Sequence, residues 1–326
     1  MKKLMVLVAA LALVAGSAMT AAAADWNFYG SSRVSTFYED YDLADVTNYE
    51  QALQGNARIG ANVKVSDELT GRFEYGTGVN VRILWGEWDF GGGQLGIGQH
   101  YSPLNMFYSN QVFGADTDLL AYGGVYGGRE AMIQLSFGDF QIAAINPSAP
   151  AGAETDFPAI EVSYDLKMDA FSLALAGGYQ TYDLGATDID SWVVALGGKV
   201  NLGAGYVGGN VYAGQNAGDL MWIDTGNPAY GDGKGTAAAD VDNMGFIIAA
   251  GFKANDMFAF EAGYGYAEVE LDVSGSKADE VQSYYVQSTI TLAPGVFITP
   301  EIGVIDYDEA GQEELMYYGA KWQINF

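Results

Sequence analysis

The sequence predicts an all-β fold: a sixteen-stranded antiparallel transmembrane β-barrel with long loops on one side and short turns on the other. Three observations predict it. Apolar and polar residues alternate with period 2 in blocks of about 9–13 residues, the length a tilted strand needs to cross a bilayer. Beyond the N-terminus almost nothing repeats with helical spacing. The links between blocks alternate long and short, as in barrels of bacterial outer membranes.

The C-terminal block shows the alternation most plainly. Met316, Tyr318, Ala320, Trp322, Ile324 and Phe326 share one face, and Tyr317, Gly319, Lys321, Gln323 and Asn325 share the other. Ile160, Val162, Tyr164 and Leu166 alternate with Glu161, Ser163 and Asp165 in the same way. A soluble β-sandwich would alternate too. Strands near ten residues, with aromatics near their ends, favour the membrane barrel. The predicted strands are 26–38, 52–65, 68–77, 79–90, 93–101, 129–137, 139–146 and 158–168. They continue with 170–182, 190–201, 204–215, 242–253, 257–272, 281–293, 295–307 and 313–326. Long links are expected at 39–51, 102–128, 147–157, 183–189, 216–241, 273–280 and 308–312, with Gly78 an unusually short one. Two features fit badly. Pro300 forfeits a ladder hydrogen bond inside a strand, so a bulge is expected there. In strand 79–90, turning Arg82 inward turns Glu87 and Asp89 outward by simple parity.

Composition narrows the function. The 326 residues include 41 Asp and Glu, 14 Lys and Arg, one His and no Cys, a formal charge of −27. That charge argues against a nucleic-acid partner, because phosphates are neutralised by clustered Lys and Arg. Without Cys there are no disulfides, thiol catalysis or Fe–S clusters. One His leaves a single imidazole for acid–base work. Lys2 and Lys3, the apolar run 4–15 and Ala22-Ala23-Ala24 predict a cleaved signal peptide over 1–24. The barrel then spans 25–326, 302 residues carrying a charge of −29. It is rich in Gly, Tyr and Phe (44, 22 and 16 in the full chain) and has no apolar run long enough for a membrane helix.

The stretch Arg82 to Pro103, RILWGEWDFGGGQLGIGQHYSP, resembles a hairpin of the Gram-negative trimeric porins. In that hairpin an aromatic strand ends in Phe-Gly and returns as Leu-x-Ile-Gly-Gln into the long third loop. Leu69 to Gly76 is also porin-like, and so is the terminal Phe326, the signature that the barrel-assembly machinery of the family recognises. The start WNFYGSSRVSTFYED is similar to homotrimeric porins of sulfate-reducing bacteria. The resemblance spans the mature chain on moderately specific motifs. It implies sixteen strands with short periplasmic turns, a homotrimer in the outer membrane among lipid and lipopolysaccharide, and a third loop, 102–128, folded into the lumen.

Other motifs have plainer readings. Gly91 to Gly96 formally matches G-x-G-x-x-G, but a strand follows where nucleotide binding needs a helix, so it reads as a hairpin turn. His100 beside Ser102 suggests a hydrolase, yet no orienting acid can be placed. The pairs Asp116/Asp118, Asp188/Asp190 and Asp240/Asp242 lack the rest of a calcium loop. No metal site and no cofactor are predicted, although the acid-rich stretch 39–50 is the place for weak divalent binding at the rim.

The five arginines are the most informative set. Arg33, Arg58, Arg72 and Arg82 fall one per strand on the first four strands, each in phase with polar neighbours. Charge on the lipid face costs about 2–4 kcal/mol at the midplane, so they should line the lumen, as a basic ladder on one wall or at scattered heights. Glu74, Glu161, Asp165, Glu261 and Glu301 are the acids expected in the lumen, and Asp116 and Asp118 the acids of the constriction loop. The wall alone favours anions; the loop acids and the acidic outer mouth oppose it. The expected function is non-enzymatic: passive passage of small hydrophilic solutes and ions, with modest cation selectivity. The alternatives are a substrate-selective channel using Tyr and Trp near the constriction as a sugar slide, a barrel enzyme, and a structural or adhesive surface protein.

Overall fold

A computed structural model of the chain describes residues 24–42, 44–226, 232–308 and 314–326. Residues 1–23 of the expected signal peptide lie outside the described residues, as does Pro228.

The described residues form a closed barrel of sixteen antiparallel strands. The first eight are β1 (Asp25–Tyr41), β2 in two pieces (Val46–Leu53 and Arg58–Lys64), β3 (Leu69–Gly76), β4 (Val81–Asp89), β5 (Gln94–Tyr101), β6 (Arg129–Phe137), β7 (Phe140–Ile145) and β8 (Ala159–Lys167). The second eight are β9 (Phe171–Leu184), β10 (Thr187–Leu202), β11 (Gly205–Gln215), β12 (Val241–Lys253), β13 (Phe258–Leu271), β14 (Asp279–Ala293), β15 (Val296–Tyr307) and β16 (Leu315–Asn325). Each strand pairs with its neighbours in sequence, and β16 returns to β1 from Ser31↔Asn325 to Tyr41↔Leu315. The last residue completes the seam: the Gly30 N–H donates to the Phe326 carbonyl (2.7 Å) and the Phe326 N–H to the Gly30 carbonyl (3.0 Å).

The two faces obey the alternation. In β10, Ile189, Ser191, Val193 and Ala195 are buried inward, while Trp192, Val194 and Leu196 are exposed outward. Exposed Leu84, Ile97, Ile133, Leu175, Ile248 and Val286 carry the apolar outer face around the barrel. Aromatics flank that face: Trp26, Phe90, Phe137, Phe252 and Phe326 at the short-turn end, Tyr38, Tyr49, Tyr179 and Tyr318 toward the other. An apolar band between two aromatic girdles is a surface built for a bilayer.

Several details differ from the pattern in the sequence. The stretch 39–51, expected as a loop, is mostly strand: β1 and the first piece of β2 pair from Val34↔Leu53 to Tyr41↔Val46. Ring contacts of Tyr38 with Tyr49 (5.1 Å) and Tyr318 (5.2 Å) favour continuing the ladder beyond the expected ends. Similarly, 183–189 is a two-residue turn at Gly185-Ala186, with Gly185 at φ 71°. The β2 strand breaks at residues 54–57, where Gln54 and Asn56 turn to the third loop.

The parity conflict in β4 is resolved by a bulge. The register slips from Glu74↔Ile83 to Tyr75↔Val81, leaving Arg82 as the extra residue. Arg82 then reaches inward to Glu74 while Glu87 also lines the lumen, so no outward Glu is needed. At Pro300 the expected bulge does not form. The pairs on either side, Ile290↔Ile298 and Gln287↔Glu301, keep one register, and the irregularity lies at Thr291/Ala293 instead. The strand passes the missing N–H by dropping bridges, without inserting a residue.

The seam generates a prediction. Removing Phe326 loses two closing hydrogen bonds and a ring that a Cβ on Gly30 would approach to 2.5 Å. Deleting Phe326 or introducing Gly30→Val should destabilise the barrel by roughly 2 kcal/mol. The readout is the temperature at which the detergent-solubilised barrel loses its heat-modifiable gel migration, and an unchanged temperature would show that the seam contributes nothing.

Candidate functional site

The site is assembled where the third long loop meets the first strands. Leaving β5, the chain makes a short ladder of Asn105–Met106 with Val125–Tyr126. Between these it runs along the inner wall, and a loop in that position must find partners for its backbone amides away from bulk water. Inward carboxylates supply them. Glu161 accepts from the Leu104 N–H (3.0 Å), and Glu261 from the Asn110 N–H (2.7 Å) and side-chain amide (2.6 Å). Glu301 accepts from the Val112 N–H (2.7 Å) and the Phe113 N–H (2.9 Å). The Phe113 ring stacks on Tyr317 at 3.9 Å, and the Gln111 amide donates to the Tyr317 hydroxyl (2.8 Å). Three of the five expected lumen acids therefore hold the loop to the wall.

Past Phe113 the backbone coils left-handed. Gly114, Ala115 and Asp116 have φ of 61°, 67° and 63°, and Asp118 and Leu119 follow at 54° and 58°. Each non-glycine residue there costs about 1–3 kcal/mol and persists only where surrounding contacts impose it. The Thr117 hydroxyl donates to the Phe113 carbonyl (2.9 Å), and the Leu119 N–H donates to the Gln111 side chain (3.1 Å).

The turn sets Asp116 against the adjoining strands β16, β1 and β2. Its carboxylate takes an ion pair from Arg33, another from Lys321 (2.8 Å), and amide hydrogen bonds from Gln54 (3.1 Å) and Asn56 (3.4 Å). Asp118 lines the same cavity, about 540 Å³, with Arg33, Arg58, Lys199 and Lys321. Burial, and then the Asp116 charge beside it, holds the Asp118 carboxyl well above the usual carboxylate range.

The other three strand arginines converge on Glu74. Arg82 Nε lies 2.8 Å, Arg72 Nη2 3.2 Å and Arg58 Nη1 3.5 Å from its oxygens, and the Tyr29 hydroxyl donates at 2.8 Å. Glu74 is 1% exposed whereas Arg58 and Arg72 remain 20% and 35% exposed, so the cluster turns its cationic side to the lumen. The four arginines thus form two adjacent networks, one on Asp116 and one on Glu74. Asp165 lies apart, on a vestibule of about 630 Å³ at the short-turn end. Lys64 and Lys253, at the short-turn end, pair with the turn residues Asp67 (2.7 Å) and Asp256 (2.9 Å).

Sequence parity did not single out Gln54, Tyr285 or Tyr317, which bind the loop. Their inward phase was readable; their partners, separated by up to 206 positions, were not. His100 packs on Trp85 at 5.4 Å, while the Ser102 hydroxyl accepts from Asn105 (3.1 Å). Among the described residues no group of three or more His, Cys, Asp or Glu converges to hold a metal.

Loop anchoring is testable. Glu301→Ala strands two buried amides that now donate to a charged acceptor, at a cost of roughly 3 kcal/mol. Single-channel currents should become noisier and larger as the loop loosens, with a lower melting temperature. Quiet currents of unaltered size would mean that other contacts hold the loop.

No protein-family model matches the sequence, and no curated protein matches it. Solved structures do. The outer-membrane channel DcaP of Acinetobacter baumannii superposes with a TM-score of 0.75 at 14% identity, over 94% of this chain and 99% of that one. The anion-selective porin from Comamonas acidovorans gives 0.65 at 13% identity, over 93% and 100%. The outer-membrane protein OmpT of Vibrio cholerae, in its in-vitro folded trimer form, gives 0.60 at 16% identity, over 92% and 99%. The chain has the fold of outer-membrane porins.

Proposed function

We propose that this chain is a general diffusion porin of a Gram-negative outer membrane, a homotrimer that passes small hydrophilic solutes and ions passively. The observation that carries the reading is the constriction. A lumen lined by two charge networks is narrowed by a loop that runs along its wall and sets Asp116 against Arg33 and Lys321 of the adjoining strands β1 and β16. Such an arrangement performs no chemistry. It sets the size of the passage left beside the loop and lines that passage with paired charges, which screens solutes by size and charge.

Selectivity follows from which charges remain effective. Asp116 is offset by Arg33 and Lys321, and Glu74 by three arginines, so the constriction is close to balanced with a cationic lean at Arg58 and Arg72. The long-loop end carries Glu39, Asp40, Glu50, Asp183, Asp188, Asp240, Asp272 and Asp308 with few bases. A one-sign mouth concentrates counter-ions at its entrance, within the 8–10 Å over which charge acts at physiological salt. Modest cation selectivity is the balance we infer, weakening as salt rises.

The check is the zero-current potential across a KCl gradient. A cation-selective sign is expected, and an anion-selective sign would overturn mouth dominance. Asp116→Asn with Asp118→Asn should move the potential toward anions by freeing Arg33 and Lys321; no change would place both acids away from the ion path. Asp118 adds a pH dependence. Its raised carboxyl keeps its proton past the ordinary carboxylate range, so raising pH through that titration adds negative charge and strengthens cation preference. Asp118→Asn should abolish this step.

A further inference from the structure

The link between β11 and β12, expected as a long outer loop, turns into the lumen. From Asn216 to Thr225 every residue but Trp222 and Asp224 is buried. Backbone placed there needs partners away from bulk water, and inward side chains of the neighbouring strands supply them at its root. The Ala217 N–H donates to the Asn243 side chain (2.7 Å), and the Asn216 amide donates to the Asp190 carbonyl (2.8 Å). A single oxygen of Asp219, Oδ2, accepts from the Ser191 hydroxyl (2.8 Å), the Tyr182 hydroxyl (3.2 Å) and the Gly235 N–H (3.3 Å). At its far end the segment meets the third loop. The Trp222 N–H donates to the Tyr126 carbonyl (2.9 Å), and the Asp224 N–H donates to the Ala121 carbonyl (3.2 Å). Leu220 and Leu104, one from each loop, lie together over Gly178 of β9, where a Cβ would stand 3.4 and 3.5 Å from them. The two limbs of the third loop are held differently. Carboxylates at Glu161, Glu261 and Glu301 tie down its outgoing limb, and Asp116 its apex. The returning limb, 119–126, takes the Asn210 amide on the Gly123 carbonyl (2.9 Å) and the two amides of residues 222 and 224. Stacked in this way the loops cover the inner face of β9 to β12, and the constriction cavity opens beside them on Arg33 and Arg58.

We propose that residues 216–226 form a second constriction loop, which clamps the returning limb of the third loop and so fixes the width of the passage, with Asp219 as its positioning residue. The proposal rests on the channel reading and adds to it the element that decides which solute sizes pass. A loop bonded along one limb swings about that limb, and the width beside it fluctuates; bonds on both limbs turn the width into a property of the barrel itself. Burial of Leu220, Met221 and Ile223 favours the inward position of the clamp, and the bonds at its root fix where it lies. The three donors to Asp219 are uncharged, so its role there is that of an acceptor oxygen in one place. Removing that oxygen leaves three donors unsatisfied, which costs more than the bonds contribute.

The test uses the full-length protein in planar bilayers. It reads KCl conductance, open-channel noise and the largest polyethylene glycol that still enters the pore and lowers the conductance. Asp219→Ala should raise conductance and noise and admit a larger polymer. Asp219→Asn keeps one oxygen for the same donors and should hold the parental values. Ser191→Ala removes one donor and should shift all three readings in the same direction by less; it carries the test if Asp219→Ala shows no heat-modifiable migration. The chain has no cysteine, so Ala121→Cys with Asp224→Cys gives one thiol pair, one thiol on each loop. Joined by a short thiol-to-thiol cross-linker in the Asp219→Ala background, the pair should restore the parental polymer cut-off. Parental conductance and cut-off in the folded Asp219→Ala and Ser191→Ala variants, or a thiol pair that does not join in the folded barrel, would overturn the clamp and leave the porin reading intact. Asp219→Asn behaving like Asp219→Ala would show that charge acts there in place of position, and would also overturn it. A folded protein with no KCl current would overturn the channel reading itself, and the clamp with it.

Discussion

Barrel closure is the constraint from which the rest follows. In hydrocarbon a strand with one free edge leaves a row of backbone groups unsatisfied, each costing several kcal/mol, so the sheet must return to its own first strand. Here β1 pairs with β2 along one side and β16 along the other, down to the mutual hydrogen bonds of Gly30 and Phe326. Once the ring is closed, every side chain must face lipid or lumen, and period 2 decides which. Outward apolar residues and inward polar ones are therefore a consequence of closure, and a lumen lined with Gln, Asn, Glu and Arg comes with it.

A lumen of that kind can hold a loop. Backbone amides of residues 104, 110, 112 and 113 could not be buried against an apolar wall, yet inward carboxylates on β8, β13 and β15 and the Tyr285 hydroxyl on β14 accept from them. The same acids that a count of charges would assign to ion conduction are used as acceptors for a folded segment. Their negative charge is spread over N–H donors. The charge that stays active in the passage is set by the two networks on Asp116 and Glu74, where close pairing trades net charge for a fixed local field.

Strain concentrates at the same place. The left-handed run from Gly114 to Leu119 is the unfavourable part of the loop, and it is the part that delivers Asp116 to Arg33 and Lys321. The β2 strand is interrupted opposite it, so that Gln54 and Asn56 can donate to the same carboxylate and the adjoining carbonyls. A broken ladder on one side and a strained turn on the other are jointly repaid by one shared acceptor.

The strands, their number, their alternating faces and the inward phase of Arg33, Arg58, Arg72 and Glu74 were legible in the sequence, because period-2 patterning is local and lipid punishes any error in it. Where local rules conflicted, tertiary structure chose. Arg82 and Glu87 could both face inward only through a bulge against Glu74, and Pro300 stayed in register because its neighbours' ladders held the strand. The acid-rich stretch 39–51 read as a loop by composition, yet paired as strand because Tyr38 found Tyr49 and Tyr318 across the ladder. That Glu161, Glu261 and Glu301 would hold a loop and that Asp116 would meet Arg33 depended on partners tens to hundreds of positions apart. Sequence alone determined which face each residue takes, since that follows from its neighbours along one strand; only the closed barrel determined which residues meet across the lumen.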